Sequence, residues 1–245
     1  MKKIVANFKM NMNGKEIKKY LIKLLAKTNG KNEVIICPPF TSLSLASFML
    51  EGTPINLGAQ NICDEEEGLC TGEISGRMVK DCGADYVVIG HSERKSKFKE
   101  SSKSINKKIK IALKNKLKVI LCVGESLADK NIGKTKEAIK NQIEEAFKGL
   151  YENELDNILI AYEPVWAIGT GKTPTAKDVE QVAKYIRQIV SADFSPKAEK
   201  IEVLYGGSID NKNCKAFAQV KGINGLFVGG ASLDVDVFAQ IVKGV

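Results

Sequence analysis

Eight short runs rich in Val, Ile and Leu begin near residues 3, 34, 55, 86, 118, 157, 201 and 225. They read KIVANFK, VIICPPF, INLGAQN, YVVIGHS, KVILCVGE, NILIAYEP, IEVLYGGS and GLFVGGAS. Their apolar character is continuous rather than alternating, which suits strands buried on both faces, as in a parallel sheet. Successive starts lie 21 to 44 residues apart, room for one crossover helix each. The intervening segments carry helical periodicity. KEIKKYLIKLLAK places Ile17, Tyr20, Leu21, Leu24 and Leu25 on one face. KTKEAIKNQIEEAFKGLYEN and TAKDVEQVAKYIRQIVSADF do likewise, the latter opening on Thr175 as N-cap with Asp178 three residues on. Eight βα units in 245 residues are the count and size of a closed (β/α)8 barrel with outer helices. An open doubly wound sheet would have fewer strands and a glycine-rich first turn, but NFKMNMNG contains no G-x-G-x-x-G. No Pro/Gly/Ser-rich linker divides the chain, so residues 1–245 are expected to form a single catalytic domain.

A barrel of this kind works at the C-terminal ends of its strands. Polar residues gather there: Asn7 and Lys9 after the first run, His91, Ser92 and Glu93 after the fourth, Glu125 after the fifth and Glu163 after the sixth. Each costs free energy at a buried strand end unless it is paired, so stability alone explains them poorly. His91 is the only histidine. A lone imidazole is more often structural than catalytic, but this one sits among the other strand-end polar groups. Gly206, Gly207, Gly229 and Gly230 follow the seventh and eighth runs, where backbone can approach an anion closely. The chain after Gly230 is expected to open the last helix, whose N–H groups favour an anion. Pro164, Val165, Trp166, Ala167, Ile168, Gly169, Thr170 and Gly171 form an apolar loop directly after Glu163, expected to act as a lid that expels water. A nucleotide-binding P-loop is excluded, because Trp166 stands where its first glycine would be.

Composition removes several classes. The net charge of +8 comes from 37 basic and 29 acidic residues, and lysines such as those of KSINKKIKIALKNKLK alternate with an apolar stripe. That pattern describes a solvated helix face rather than a nucleic-acid track. The six cysteines are scattered, with no C-x-x-C, so neither a metal centre nor a disulfide framework is expected. No run approaches the length of a membrane span, and Asn7 and Lys9 interrupt any signal-like h-region; a cytoplasmic protein is the expectation.

NFKMN, GAQN, VVIGHSERK, LCVGE, AYEPVWAIGTGK, YGGSI and VGGASL, in that order from residue 7 to 233, resemble the successive motifs of the triosephosphate isomerase family. The resemblance implies the TIM-barrel fold and cofactor-free, metal-free interconversion of dihydroxyacetone phosphate and glyceraldehyde 3-phosphate, a step of glycolysis and gluconeogenesis. By position, Glu163 matches the family's base. Enclosure by Val165, Trp166 and Ile168 would desolvate the carboxylate and make it more basic. His91 matches the electrophile, kept neutral, as the resemblance implies, if SERK opens a helix. Lys9 matches the ammonium that offsets substrate charge, with Asn7 donating to the same oxygens. Gly169, Ser208, Gly229 and Gly230 match the phosphate binders, and Glu93, Cys122 and Glu125 the supporting residues, Glu93 as an anchor for Lys9.

The resemblance also implies a homodimer through the loop around Leu69–Thr71, although Leu69 and Cys70 depart from the family pattern. Gly222 and Asn224 replace acidic residues before the eighth run, which puts the support of Arg187 near the lid in question. Among other enzymes, a sugar-phosphate epimerase would call for a metal or two opposed acids, and an aldolase for a Schiff-base lysine within a core run. A basic scaffold or nucleic-acid binder is the alternative of a different class, disfavoured by the charge pattern.

Overall fold

The computed structural model describes residues 1–28, 31–195 and 200–245. Its eight strands are β1 Lys3–Asn7, β2 Glu33–Cys37, β3 Ile55–Ala59, β4 Tyr86–Ile89, β5 Lys118–Val123, β6 Ile158–Tyr162, β7 Glu202–Tyr205 and β8 Gly225–Val228. They pair in parallel in chain order and close on themselves, β1 against β8. This is the (β/α)8 barrel anticipated from the apolar runs, each of which supplies one strand.

Alternation along the strands divides the core in two. Val5, Ile35, Tyr86, Val88, Ile120, Leu159, Leu204 and Phe227 point inward and fill the barrel. Their neighbours Ile4, Ile36, Val87, Ile89, Val119 and Leu121 point outward beneath the helices. Continuous apolar runs are therefore required: both faces of each strand are buried. Closure between β1 and β8 needs a glycine, because a Cβ at Gly225 would lie 1.9 Å from the Lys3 carbonyl oxygen. At the N-terminal end, Lys3 bridges Glu33 at 3.2 Å and Glu202 at 2.8 Å, and the Tyr86 hydroxyl donates to Glu33. That polar plug leaves the opposite mouth as the place for chemistry.

The outer layer comprises α1 Gly14–Lys27, α2 Leu43–Leu50, α3 Gly76–Asp81, α4 Ser92–Lys97, α5 Ser102–Lys114, α6 Leu127–Asn131, α7 Thr135–Phe147, α8 Ala176–Asp193, α9 Cys214–Ala218 and α10 Val235–Gly244. On α1 the buried face is Ile17, Tyr20, Leu21 and Leu24. Helix α8 begins where its sequence signature places it: Thr175 Oγ1 accepts from the Asp178 amide at 3.2 Å, and Asp178 Oδ2 accepts from the Thr175 amide at 3.0 Å.

Not every crossover is one helix. Helices α4 and α5 both follow β4, and α6 and α7 both follow β5. The acidic segment after β3 lacks a helical apolar stripe and leads only to the short α3. The end of the chain also differs from expectation. Residues Gly230–Leu233 form a 3-10 turn, and α10 starts only at Val235. Asp234 sets that start, its Oδ1 accepting from the amides of Asp236 at 2.8 Å and Val237 at 3.2 Å. Among the described residues no helix is long and apolar enough to cross a membrane.

Candidate active site

Strand β1 delivers Lys9 through an unusual backbone. Lys9 has φ 51°, a left-handed conformation that a lysine adopts at a cost. Three bonds hold it there. Its amide donates to Asn7 Oδ1 at 3.0 Å, its carbonyl accepts from Gln60 Nε2 at 2.9 Å, and its Nζ donates to Glu93 Oε1 at 2.7 Å. The ammonium thereby points across the mouth, with a Cβ at Gly229 reaching 3.3 Å from its Cε. Asn7 is buried beneath Lys9 and does not line the cavity; its side-chain oxygen is used on the lysine backbone.

Strand β4 ends in Gly90, whose φ of 71° turns the chain so that His91 becomes the N-cap of α4. The Glu93 amide donates to His91 Nδ1 at 3.3 Å. A ring accepting at Nδ1 carries its hydrogen on Nε2, the atom facing the cavity, and a second proton would cost that bond. Opposite, Glu163 Oε1 lies 3.4 Å from His91 Nε2, both side chains almost wholly buried. Strand β6 fixes Glu163 through its amide, which donates to the Val123 carbonyl at 2.8 Å.

The two groups set each other's charge. Burial works against an ionised Glu163, yet His91, the Cys122 thiol and Lys95 outweigh it and hold the carboxyl below its ordinary value. Burial likewise disfavours imidazolium, but the Glu163 carboxylate prevails and His91 lies above its ordinary value. The carboxylate is thus less basic than the sequence suggested. The reason is visible in the lid. Val165 is 38% exposed, and Trp166 turns away, its Nε1 donating to Glu125 Oε1 at 2.7 Å beneath Lys130, whose Nζ stands 3.2 Å from the ring centroid. Of the three residues expected to enclose Glu163, Ile168 alone lines the cavity. Buried Glu125 also accepts from the Tyr162 hydroxyl at 3.2 Å, so it ties the start of the lid to the top of β6.

The cavity, about 320 Å³, is lined by Lys9, His91 and Glu163 together with Gly169, Gly171, Gly206, Gly207, Ser208, Gly229 and Gly230. No side chain screens the backbone of the glycines from an entering anion. A Cβ at Gly206 would meet Glu163 Cγ at 2.7 Å, so this glycine also makes room for the carboxylate. Among the described residues, two buried polar atoms of the site, His91 Nε2 and Glu163 Oε2, lack hydrogen-bond partners, as does the Tyr205 hydroxyl on β7, outside the cavity lining. Each such group costs about 1–3 kcal/mol until something satisfies it. The floor adds Ile209, Phe227 and Ala231, and Ser232 Oγ donates to the Gly229 carbonyl at 2.7 Å.

Gln60 escaped sequence reading because its role, fixing the Lys9 and Cys37 carbonyls, spans 51 and 23 residues. Arg187 keeps a partner despite the departures before β8. Its Nη2 donates to Asn224 Oδ1 at 2.6 Å, whereas Gly222 has φ 85° and leaves no room for a Cβ beside Nη1. Both acceptors of the guanidinium, Asn224 Oδ1 and the Ala183 carbonyl, are neutral.

A closed barrel with a carboxylate, an imidazole and an ammonium facing a glycine-walled cavity defines a class: barrels equipped for acid–base chemistry on a small anion. The family model for triosephosphate isomerase matches residues 2–245. Similar proteins bearing that name include those of Dictyoglomus turgidum, 45% identical over 98% of each chain, and Aquifex aeolicus, 46% identical over 98% of this chain and 97% of that one. Another, from Natranaerobius thermophilus, is 43% identical over 98% of this chain and 94% of its own. This chain belongs to the triosephosphate isomerase family.

The ionic component of the His91–Glu163 contact has a defined pH window. A lowered Glu163 contributes stability above its unfolded value, lost as pH falls through the folded one; a raised His91 contributes below its unfolded value, lost as pH rises through the folded one. The contribution is whole between the ordinary values, 4.5 and 6.5. With one histidine in the chain, imidazole NMR titration reads His91 alone. Glu163→Gln is expected to lower the His91 pKa, because burial and the Glu93 amide remain while the carboxylate is gone. An unchanged titration would contradict the coupling.

Proposed function

We propose that this chain interconverts dihydroxyacetone phosphate and D-glyceraldehyde 3-phosphate by proton transfer through an enediolate, without metal or organic cofactor. The observation that carries the reading is that Glu163 Oε1, 3.4 Å from His91 Nε2, lines one cavity together with glycine backbone. An anion fits that backbone, and the reacting carbons reach base and imidazole once the carboxylate moves off the ring, since 3.4 Å leaves no room for an atom between them.

In this mechanism Glu163 removes a proton from the carbon beside the carbonyl and returns it to the neighbouring carbon. His91, neutral with its hydrogen on Nε2, donates to the two substrate oxygens in turn. The ammonium of Lys9 offsets the charge of the enediolate and of the phosphate, and Glu93 holds that ammonium in place. Substrate binding itself strengthens the base. A molecule lying between Glu163 and His91 removes the contact that lowers the carboxyl pKa and leaves the burial that raises it. Closure of residues 164–171 over the cavity would exclude water and add to the same effect. Gly169, Ser208, Gly229 and Gly230 receive the phosphate. Asn7 acts by supporting Lys9 and, if its amide turns toward the cavity, by donating to the same oxygens. Cys122 and Glu125 pack behind the base and the lid.

Residues 1–245 act as one domain in this reading, and two copies associate through the loop around Leu69–Thr71. Leu69 is fully exposed there, and Met10 is 95% and Phe98 67% exposed, apolar surface that suits a second copy of the chain. The surface lysines interleave with acids, as in Lys107–Glu65 and Lys114–Glu66, which speaks against a nucleic-acid track. Six free thiols suit a reducing compartment, and we assign the cytoplasm, to be checked by fractionation.

Two measurements test these assignments. Glu163→Gln should lower turnover of glyceraldehyde 3-phosphate by about 10²–10⁴-fold while binding 2-phosphoglycolate within a few-fold of wild type. The same ligand should slow proteolysis within 165–173. Parallel loss of turnover and binding would remove Glu163 from the role of base, and unchanged cutting would leave the loop fixed. Sedimentation equilibrium should give twice the chain mass of 26.8 kDa, falling toward one chain in Leu69→Glu. A wild-type monomer would contradict the dimer.

A further inference from the structure

One cation near the base takes no part in the reaction described above. Lys95, on α4, turns its ammonium inward, where Nζ donates to the Cys122 carbonyl at 3.3 Å and to Gln142 Oε1 at 3.0 Å. Among the described residues no carboxylate lies within ion-pair distance of it. A half-buried ammonium held, among the described residues, by neutral oxygens is costly, and burial keeps its pKa below that of an ordinary amine. Stability alone gives little reason to retain a charge at such a position.

Its two partners both lead to Glu163. Cys122 takes Lys95 on its carbonyl and lays its thiol against the Glu163 carboxylate. Gln142 grips Gly124 at both ends, its Oε1 accepting from the Gly124 amide at 3.1 Å and its Nε2 donating to the Gly124 carbonyl at 2.9 Å. Gly124 in turn touches Glu163 so closely that a Cβ there would lie 1.8 Å from the Glu163 carbonyl oxygen. Lys95, Gln142 and the end of β5 thus form the bed on which the base rests.

We propose that Lys95 is a positioning residue for Glu163: a fixed cation behind the carboxylate, tied through Cys122 and Gln142 to the strand end beneath it, that favours the ionised base. The proposal rests on the assignment of Glu163 as the base. Other charged or titratable groups face the carboxylate from every side. His91 stands across the cavity from the end of β4, Cys122 beneath it on β5, and Lys9 beyond the mouth with Glu93 bound to it. Glu100 faces Lys95 but is held by Arg94 at 2.9 Å and by Lys108. The sign follows from charge. A cation near Glu163 favours the carboxylate, so its removal raises the pKa of the base and moves the acid limb of activity to higher pH. The limb belongs to the coupled Glu163–His91 pair once the second ionisation of the substrate phosphate, at about pH 6 and common to every variant, is divided out. A brace without electrostatic effect would instead scale activity equally at every pH.

The test is the pH profile of kcat/KM for glyceraldehyde 3-phosphate in wild type, Lys95→Met, Lys95→Arg and Gln142→Glu. Wild-type turnover is measured first: its absence would remove the proposed function and the role of Lys95 with it, whereas turnover with an unmoved limb would overturn the role of Lys95 alone. Lys95→Met is expected to keep its plateau within about threefold of wild type but to lose several-fold at about pH 5. Lys95→Arg keeps the charge and should restore the wild-type limb. If Lys95→Met fails to fold, Gln142→Glu decides: it retains the lysine, sets a carboxylate against it and should move the limb the same way. A limb that stays in place in either folded variant, or an equal loss at every pH, overturns the proposal.

Discussion

A carboxylate buried at the top of a closed barrel, with an imidazole 3.4 Å away, is the constraint around which the upper half of this molecule is arranged. Water solvates neither group well, so the protein must supply the charges and dipoles that water would have provided. It does so from several strands at once. Strand β4 brings His91 and the α4 amide that fixes its tautomer, β5 brings Cys122 and Gly124, and β1 brings Lys9. Gly206 leaves space for the carboxylate itself. Closure of the barrel makes this possible, since no open sheet would place the ends of its first and sixth strands on the rim of one cavity.

The pairing also explains why the site is built with deficits. Among the described residues, His91 Nε2 and Glu163 Oε2 are buried without partners. The backbone of Lys9 is left-handed and is kept so by Asn7 and Gln60. A ligand that reaches His91 Nε2 and Glu163 Oε2 gives those two atoms partners, and it separates the two groups whose contact weakens the base. Substrate binding and activation of Glu163 are one event in this account. The lid is held apart from it by Glu125, which gathers the Trp166 indole and the Tyr162 hydroxyl on the far side of β6.

The barrel was legible because its physical cause is local and repeated: strands buried on both faces must be apolar throughout, and each of the eight runs shows it. His91, Glu163 and the paired glycines were legible for a related reason, as polar or minimal residues at strand ends where apolar ones would be the rule. Gln60, Lys95 and Gln142 were not. Each acts through a contact spanning 18 to 51 residues, and each reads in isolation as an ordinary polar residue. The state of the base was misjudged for the same cause. Val165 and Trp166 are apolar neighbours of Glu163 in the chain, but a buried acceptor just beyond β5, Glu125, turns the indole away, and a histidine after β4 governs the carboxylate instead. The start of α10 was misplaced because the glycine pair hid the stronger cap at Asp234.

The most direct test of proton transfer at this site is isotopic. Dihydroxyacetone phosphate is converted in deuterium oxide, with the aldehyde product trapped by irreversible oxidation and examined by mass spectrometry and NMR. Removal and return of a proton by Glu163 predicts deuterium at carbon 2 of the product, since the carboxyl group exchanges with solvent while the enediolate persists. Product formed at full rate with no solvent hydrogen at that carbon would mean that the hydrogen moves between the carbons without exchange, as in a direct hydride shift, and would contradict the account.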